Sequence, residues 1–424
     1  MRSVPRAIAV LGVAGLSLGT AQDAPDPEHA RVGVLREDAL QRLGVTRDEL
    51  RAATPHAAIR YGGITKFLDR TRTAVTGTFD DSNPAVPKAI DALDAHGLKA
   101  TIAISTQSGA IATLWPRLRA AAENGHEIAS HARRHLCQWP DTPTFCRSAY
   151  SRDEVAGSRD DILAQTGQRY VWTWVYPCGN CADYEFVHER LRDAGYLVAR
   201  TYPDERRGGH LVPDLRSWAA DPYRAAYTQV VQRHGGIAPA GRTDVTLLNR
   251  KFDEVHPDLN TDAARLDGGA AGGRGVAQGA EGGIYHFATH PSLLDFGDDQ
   301  FFERHLAHIG GRPDVWYVPL GPLYAYRIVR EDTVVTPLGP RDGWARFAVH
   351  NTLDPAVYDN ALTLTFAIPE TGALAVRIAG RPMMERTATL TDRWNAEYYQ
   401  RDGASLLVTV RPNQIVEVRV EEGR

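Results

Sequence analysis

From Thr73 onward the chain repeats one pattern, a short β-rich run followed by a stretch with helical apolar spacing. Thr73–Phe79 is β-rich. Pro84–His96 then places Val86, Ala89, Ile90 and Leu93 on one helical face, and Gly97 suits its stop. Ala100–Ser105 reads as the next strand, Ala110–Asn124 as a helix ending before Gly125, and Glu127–Ser130 as a strand leading into His131. Ser151-Arg152-Asp153-Glu154 is a capping box opening another helix. Val171–Tyr176, Tyr184–Ala194 and Tyr196–Thr201 continue the alternation as strand, helix and strand. Such a repeat predicts a mainly parallel sheet or a barrel, with chemistry built where the strands end.

The pattern breaks at Pro203. Residues 203–283 read as a divergent insertion, with a Gly/Ala-rich tract from Gly268 to Gly283 that suits a flexible lid. It resumes with strand Ile284–Thr289, helix Asp299–Ile309, strand Val315–Val318 and a helix near Leu320–Val329. Beyond residue 331 the runs 344–349, 361–368, 373–378, 387–390, 406–410 and 415–420 are short and β-rich. They predict a small all-β, sandwich-like domain over 331–424, holding no motif residue and separable from the rest. Residues 22–69 form an N-terminal extension.

At the chain's start, Arg2 and Arg6 precede the apolar run Ala7–Leu18, and Gly19 and Ala21 are small. Residues 1–21 therefore read as a signal peptide, and the protein as secreted or periplasmic. The run is too short for a comfortable membrane span, and no later stretch suits one. With 424 residues, 43% of them hydrophobic, there is enough chain for two or three cores. A net charge of only -4 gives no electrostatic case for a nucleic-acid partner. Four cysteines allow three pairings; the expectation is the local pairs Cys137–Cys146 and Cys178–Cys181.

The chemistry sits at two strand ends. Thr78-Phe79-Asp80-Asp81 closes one strand, and His131-Ala132-Arg133-Arg134-His135 follows another. Histidines four apart face the same way on a helical turn, so His131 and His135 can hold one ion with Asp81 as third ligand. Asp80 is left as a base, and the open metal position suits hydrolysis. Trp172, Trp174 and Tyr176 alternate on a strand and read as core. Trp139 and Trp218 fall in loops, where either can line a saccharide groove. Arg133-Arg134 and Arg206-Arg207 read as solvated charge.

Those two motifs, with Tyr176-Pro177-Cys178-Gly179 and Thr289-His290-Pro291, make residues 70–330 resemble the polysaccharide deacetylase (NodB-homology) family of carbohydrate esterases. The resemblance implies a distorted (β/α) barrel, one divalent metal ion (usually Zn2+) and removal of acetyl groups from an acetylated polysaccharide or oligosaccharide. It carries Asp80 over as catalytic base and His290 as general acid. Asp81, His131 and His135 become metal ligands, and Tyr176, Pro177 and Cys178 the substrate and oxyanion turn. His286 stays a core histidine. Three positions depart from the family: Ser82 replaces its glycine, Val175 its base-orienting arginine, and Cys178 its aromatic. N-acetylated sugars are the expected substrate. O-acetylated, xylan-type glycans and a catalytically inactive carbohydrate-binding relative are the alternatives.

Overall fold

The computed structural model describes residues 35, 37–51, 58–201, 218–219, 221–225, 228–229, 245–256, 283–297, 300–386 and 396–421. The expected signal peptide, residues 268–282 of the Gly/Ala tract, Arg206-Arg207 and the run 387–390 lie outside them.

Eight parallel strands form the barrel: β2 (Thr73–Asp80), β3 (Thr101–Ile104), β4 (Glu127–Ser130), β5 (Thr173–Val175), β6 (Val198–Arg200), β7 (Thr228–Gln229), β8 (Ile284–Thr289) and β9 (Val315–Tyr317). They run in the order β6-β5-β4-β3-β2-β8-β7, with β9 also on β2. Every residue of β2 is buried, as befits a strand covered on both faces. The edges come together through one segment: Ala225 bridges to Arg200 on β6, and Thr228–Gln229 pairs with β8. The result is the distorted (β/α) barrel expected of the motifs.

The helices cover the outside with the apolar faces read from the sequence. Val86–Ala95 (α3) buries Val86, Ala89, Ile90 and Leu93, and is followed by Gly97 at φ 70°. Ile111–Glu123 (α4), Arg152–Thr166 (α6), Glu185–Asp193 (α7), Phe301–Ile309 (α9) and Leu320–Asp332 (α10) complete most of the ring. The small helices Glu37–Leu43 (α1) and Arg47–Arg51 (α2) pack on the β-rich part, and Pro143–Ala149 (α5) is an extra turn the sequence did not announce.

The stretch 203–283 is more than an insertion. Besides β7 it supplies Val245–Val255 (α8), whose Leu248 and Phe252 are buried in the barrel's outer core. Sequence reading missed it because the helical face is short and flanked by Gly and Pro.

The C-terminal region forms two antiparallel sheets, of order β1-β12-β16-β15 and β10-β11-β17-β13-β14. The strands are β1 (Arg60–Ile64), β10 (Val334–Arg341), β11 (Trp344–His350), β12 (Leu362–Ala367), β13 (Ala373–Ile378), β14 (Arg381–Pro382), β15 (Tyr398–Asp402), β16 (Ser405–Val410) and β17 (Gln414–Glu421). This is the expected all-β sandwich, with a change in its make-up. One edge strand, β1, comes from the N-terminal extension and pairs with β12 around a bulge between Tyr61 and Gly63. The sandwich interior is also continuous with the barrel: Ala74, Ile284, Trp316, Val318, Leu323 and Tyr326 pack in one cluster with Val349, Leu364, Phe366 and Val408. The two parts share an apolar cluster, which argues against the separability expected from the sequence.

Candidate active site

The motif residues meet at one rim of the barrel, beyond the C-terminal ends of the strands. Asp80 ends β2 and Asp81 follows it; His131 follows β4, Cys178 follows β5, Arg200 ends β6 and His290 follows β8. His131 Nε2 lies 3.6 Å and His135 Nε2 3.5 Å from the same oxygen, Asp81 Oδ1. His290 Nε2 lies 3.9 Å from Asp80 Oδ2 and 3.8 Å from Asp81 Oδ2. The five residues expected as catalysts and metal ligands therefore converge.

The two histidines do not converge on a helical turn. Residues 131–135 form a loop, with Ala132 at φ 64° and His135 at φ 52°. Asp81 (φ 76°) and Cys178 (φ 53°) share this left-handed conformation, which costs non-glycine residues of order 1 kcal/mol or more. Strain gathered at one rim means that surrounding contacts hold it there. Some of those contacts are visible. Ser82 Oγ donates to Ser105 O (2.9 Å) and accepts from Ser105 N (3.0 Å), while Ser105 Oγ donates to His131 O (2.9 Å). Serine in place of the family's glycine thus ties the Asp81 turn to the ends of β3 and β4.

Glu154 is the larger support, and the sequence hid it. Ser151 caps α6 as expected, accepting from Glu154 N at 3.4 Å. The Glu154 carboxylate instead turns to the histidine loop. It accepts from Arg133 N (3.0 Å), Arg134 N (3.1 Å) and the Arg134 side chain. Arg133 reaches Asp161 and Asp153, so the arginine pair braces the loop rather than sitting as solvated charge. Gly157 permits this, because a Cβ there would lie 2.7 Å from the Arg133 guanidinium carbon.

A metal fits the donor set for a reason of its own. His131 Nδ1–H donates to Val175 O at 2.8 Å, which leaves Nε2 as an unprotonated acceptor. Burial first, and then the neighbouring His135, hold the His131 imidazole well below its ordinary pKa, hence neutral. Its lone pair then faces a carboxylate oxygen at 3.6 Å, acceptor against acceptor, an arrangement that a cation between them resolves. Asp81, His131 and His135 offer ligand atoms all within 4.8 Å of one another.

Asp80 is almost fully buried, and its Oδ2 pairs with the guanidinium of Arg200, itself buried. Its Oδ1 is also buried and has no hydrogen-bond partner among the described residues. Arg200 is the main residue that sequence reasoning missed. With Val175 at the family's arginine position, the charge comes from β6, one strand further along. An arginine ending a β-run at the rim was readable; its partner 120 residues away was not.

The third motif differs from expectation in its side chains. Tyr176 is buried, its OH donates to Tyr223 O (3.0 Å) and its N–H to Arg200 O (3.1 Å), so neither group faces the open site. Pro177 has no N–H. Cys178 is the turn residue left exposed. His286 is buried against Thr78 Oγ1 (3.2 Å), a core histidine as expected. Trp174 and Tyr176 pack in the core with Tyr150. Trp218 packs against Phe67 and Tyr324, whereas Trp139 on the histidine loop is 53% exposed.

Neither cysteine pairing expected from the sequence forms. The bonds are Cys137–Cys178 and Cys146–Cys181. β4 and β5 are parallel neighbours, so the loops leaving their ends lie side by side and each cysteine meets one from the other loop.

A barrel with two carboxylates, three histidines and a buried arginine at its rim is a hydrolase scaffold, and comparison identifies its kind. Residues 68–199 match the family model described as polysaccharide deacetylase. The resemblance drawn from the motifs is thereby borne out over residues 68–199. No curated protein matches the chain. Among solved structures it is similar to a protein assigned as a polysaccharide deacetylase in Mycobacterium smegmatis, at 15% identity and TM-score 0.42 over 66% of this chain and 96% of that one. One assigned likewise in Pseudomonas aeruginosa PAO1 gives 14% and 0.40 over 60% and 90%. A family 4 carbohydrate esterase from Streptomyces lividans, in complex with acetate, gives 14% and 0.30 over 56% and 86%. No helix among the described residues is long and apolar enough to cross a membrane.

Proposed function

We propose that the protein is an exported, metal-dependent hydrolase that removes acetyl groups from N-acetylated sugars of a polysaccharide. The observation that carries this reading is the convergence of Asp81, His131 and His135 beside Asp80 and His290. Asp81, His131 and His135 would hold one divalent ion, zinc by the chemistry of two imidazoles and a carboxylate. When bound, such an ion supplies Lewis-acid polarisation of an acyl carbonyl and a lower pKa for water.

The chain's own residues do the rest. Arg200 fixes Asp80 through Oδ2, which leaves the buried Oδ1 to take a proton from the attacking water. His290, whose Nε2 lies beside Oδ2 of both carboxylates, protonates the departing amine. The Cys178 backbone N–H is the turn's remaining donor for the oxyanion. The hydrolytic unit spans residues 70–330 and the β-rich part 331–424. Export accords with the basic, apolar start and with two disulfides, which persist in oxidising compartments.

The test is acetate release from matched N- and O-acetylated glycans, with and without chelator, alongside elemental analysis. Release from N-acetylated glycans that chelator abolishes and zinc restores is the expected result, with near-stoichiometric metal that falls away in His131→Ala. Release only from O-acetylated xylan would make the protein an esterase. Full metal content in His131→Ala would remove the ligand assignment.

A further inference from the structure

The two disulfides differ in a way that matters for the metal site. Cys146 and Cys181 are both fully buried. Cys137 and Cys178 are both exposed on the active-site rim. Cys137 Sγ lies 3.6 Å from His135 Nδ1, the ring nitrogen opposite the one that faces Asp81. A metal-binding histidine ordinarily has its second nitrogen held by a carbonyl or carboxylate, as His131 has Val175 O. At His135 that place is taken by a disulfide sulfur.

The same bond ties the histidine loop to the turn carrying the Cys178 N–H. It is not the only tie. Gln138 N donates to Asn180 Oδ1 (3.1 Å) and Asn180 Nδ2 to Gln138 O (3.0 Å). Tyr150 OH donates to Asn180 O (2.7 Å) and Cys181 N to Asp141 Oδ2 (2.6 Å). With Cys146–Cys181 out of reach of solvent, the two loops stay together if Cys137–Cys178 opens. His135 nitrogen and the two sulfurs already lie within 4.8 Å of one another, so opening leaves two thiols and an imidazole as a second ligand set that shares His135. Zinc binds such soft sulfur donors strongly, and exposed disulfides are the readily reduced ones.

We propose that Cys137–Cys178 is a redox switch on the metal centre. Closed, it braces His135 and the Cys178 turn. Opened by a dithiol reductant, it presents two sulfurs that with His135 draw the ion away from Asp81 and His131, and hydrolysis stops. In opening, the reductant gives two electrons and two protons to the sulfurs and leaves as its own disulfide. The inference rests on the ligand reading above.

The experiment uses the full chain loaded with cobalt(II), whose absorption separates sulfur from nitrogen and oxygen ligands. A phosphine is the reductant: one phosphine and one water are consumed, and two thiols and a phosphine oxide form. Expected on release of two thiols per chain are a new sulfur-to-cobalt charge-transfer band and at least a tenfold loss of acetate release, both reversed by reoxidation. The Cys137→Ser/Cys178→Ser double variant should show no band and no response to phosphine. Two thiols released without the band, an equal phosphine response in the double variant, or no thiols released from the folded protein would each overturn the switch. Cobalt that binds the oxidised protein without a sulfur band, and stays so after reduction, sinks the switch alone. Failure of the oxidised protein to bind cobalt at all sinks the metal reading as well.

Discussion

Asp80 and Arg200 show what a single buried pair decides. Both are almost inaccessible to water, and a buried carboxylate without its partner would be an uncompensated charge. The pairing also leaves one oxygen uncommitted, which a base needs. Arg200→Gln is expected to lower kcat on the order of 10²-fold, the lower range for loss of a general catalyst, with KM and metal content little changed. Steady-state kinetics with metal analysis on the same samples checks it, and a pure KM effect would make Arg200 a substrate contact instead. Glu154 acts at the same scale but on the ligands. Its carboxylate fixes two backbone N–H groups between His131 and His135. Glu154→Ala should weaken metal affinity about 10- to 100-fold, as losing a ligand's outer support does. Competition with a chromophoric chelator measures this; an unchanged affinity would reduce Glu154 to a helix brace.

Among the elements, α8 and α9 are joined through a histidine buried in the barrel's outer core. His305 Nδ1 pairs with Asn249 Oδ1 (2.7 Å) and Nε2 with Tyr285 OH (3.1 Å). Burial, helped by His308, pushes its pKa down to about 3. The unfolded chain takes up that proton near pH 6.5. Between these values the unfolded state holds more protons, so this contribution to stability is complete above about pH 6.5 and is lost as pH falls toward 3. At pH 5 the loss from this one group is on the order of 2 kcal/mol. His305→Gln should therefore flatten the fall in urea midpoint between pH 7 and pH 5. A wild-type slope retained in the variant would move the effect to other groups.

At the scale of the whole molecule, barrel and sandwich share one apolar cluster. β1 is drawn from before the barrel and the other sandwich strands from after it, so the chain encloses the barrel between two parts of one sheet. Asp69 makes the junction polar as well as apolar. It accepts from Tyr398 OH (2.6 Å), Arg386 Nη1 (2.8 Å) and Thr409 Oγ1 (3.2 Å). Ending the chain at residue 330 removes the partner of β1 and opens the shared apolar cluster. The truncated protein is expected to lose the cooperative thermal transition of the full chain and to aggregate, as seen by circular dichroism and size exclusion. A soluble, active fragment would show that the shared cluster is dispensable.

The sequence by itself determined most of the elements and the reactive side chains. Val86, Ala89, Ile90 and Leu93 mark a helix because burial of one face depends on spacing along a short stretch, and that spacing is written locally. Asp80, Asp81, His131, His135 and His290 were legible for a similar reason. Each lies at the end of a strand, and parallel strands deliver their ends to one rim. The tertiary structure alone decided which groups meet across the rim. Arg200 finds Asp80 over a separation of 120 residues. Glu154 abandons its local capping partner for the loop between the histidines. The cysteines pair at separations of 41 and 35 because β4 and β5 are neighbours in space, whereas the nearest cysteine in sequence is the wrong partner. β1 joins a sheet whose other strands lie some three hundred residues away, and no local pattern in Arg60–Ile64 names that partner. Propensity and periodicity act over a few residues, while charge pairing, sulfur bonding and strand partnership depend on distances that exist only once the barrel has closed.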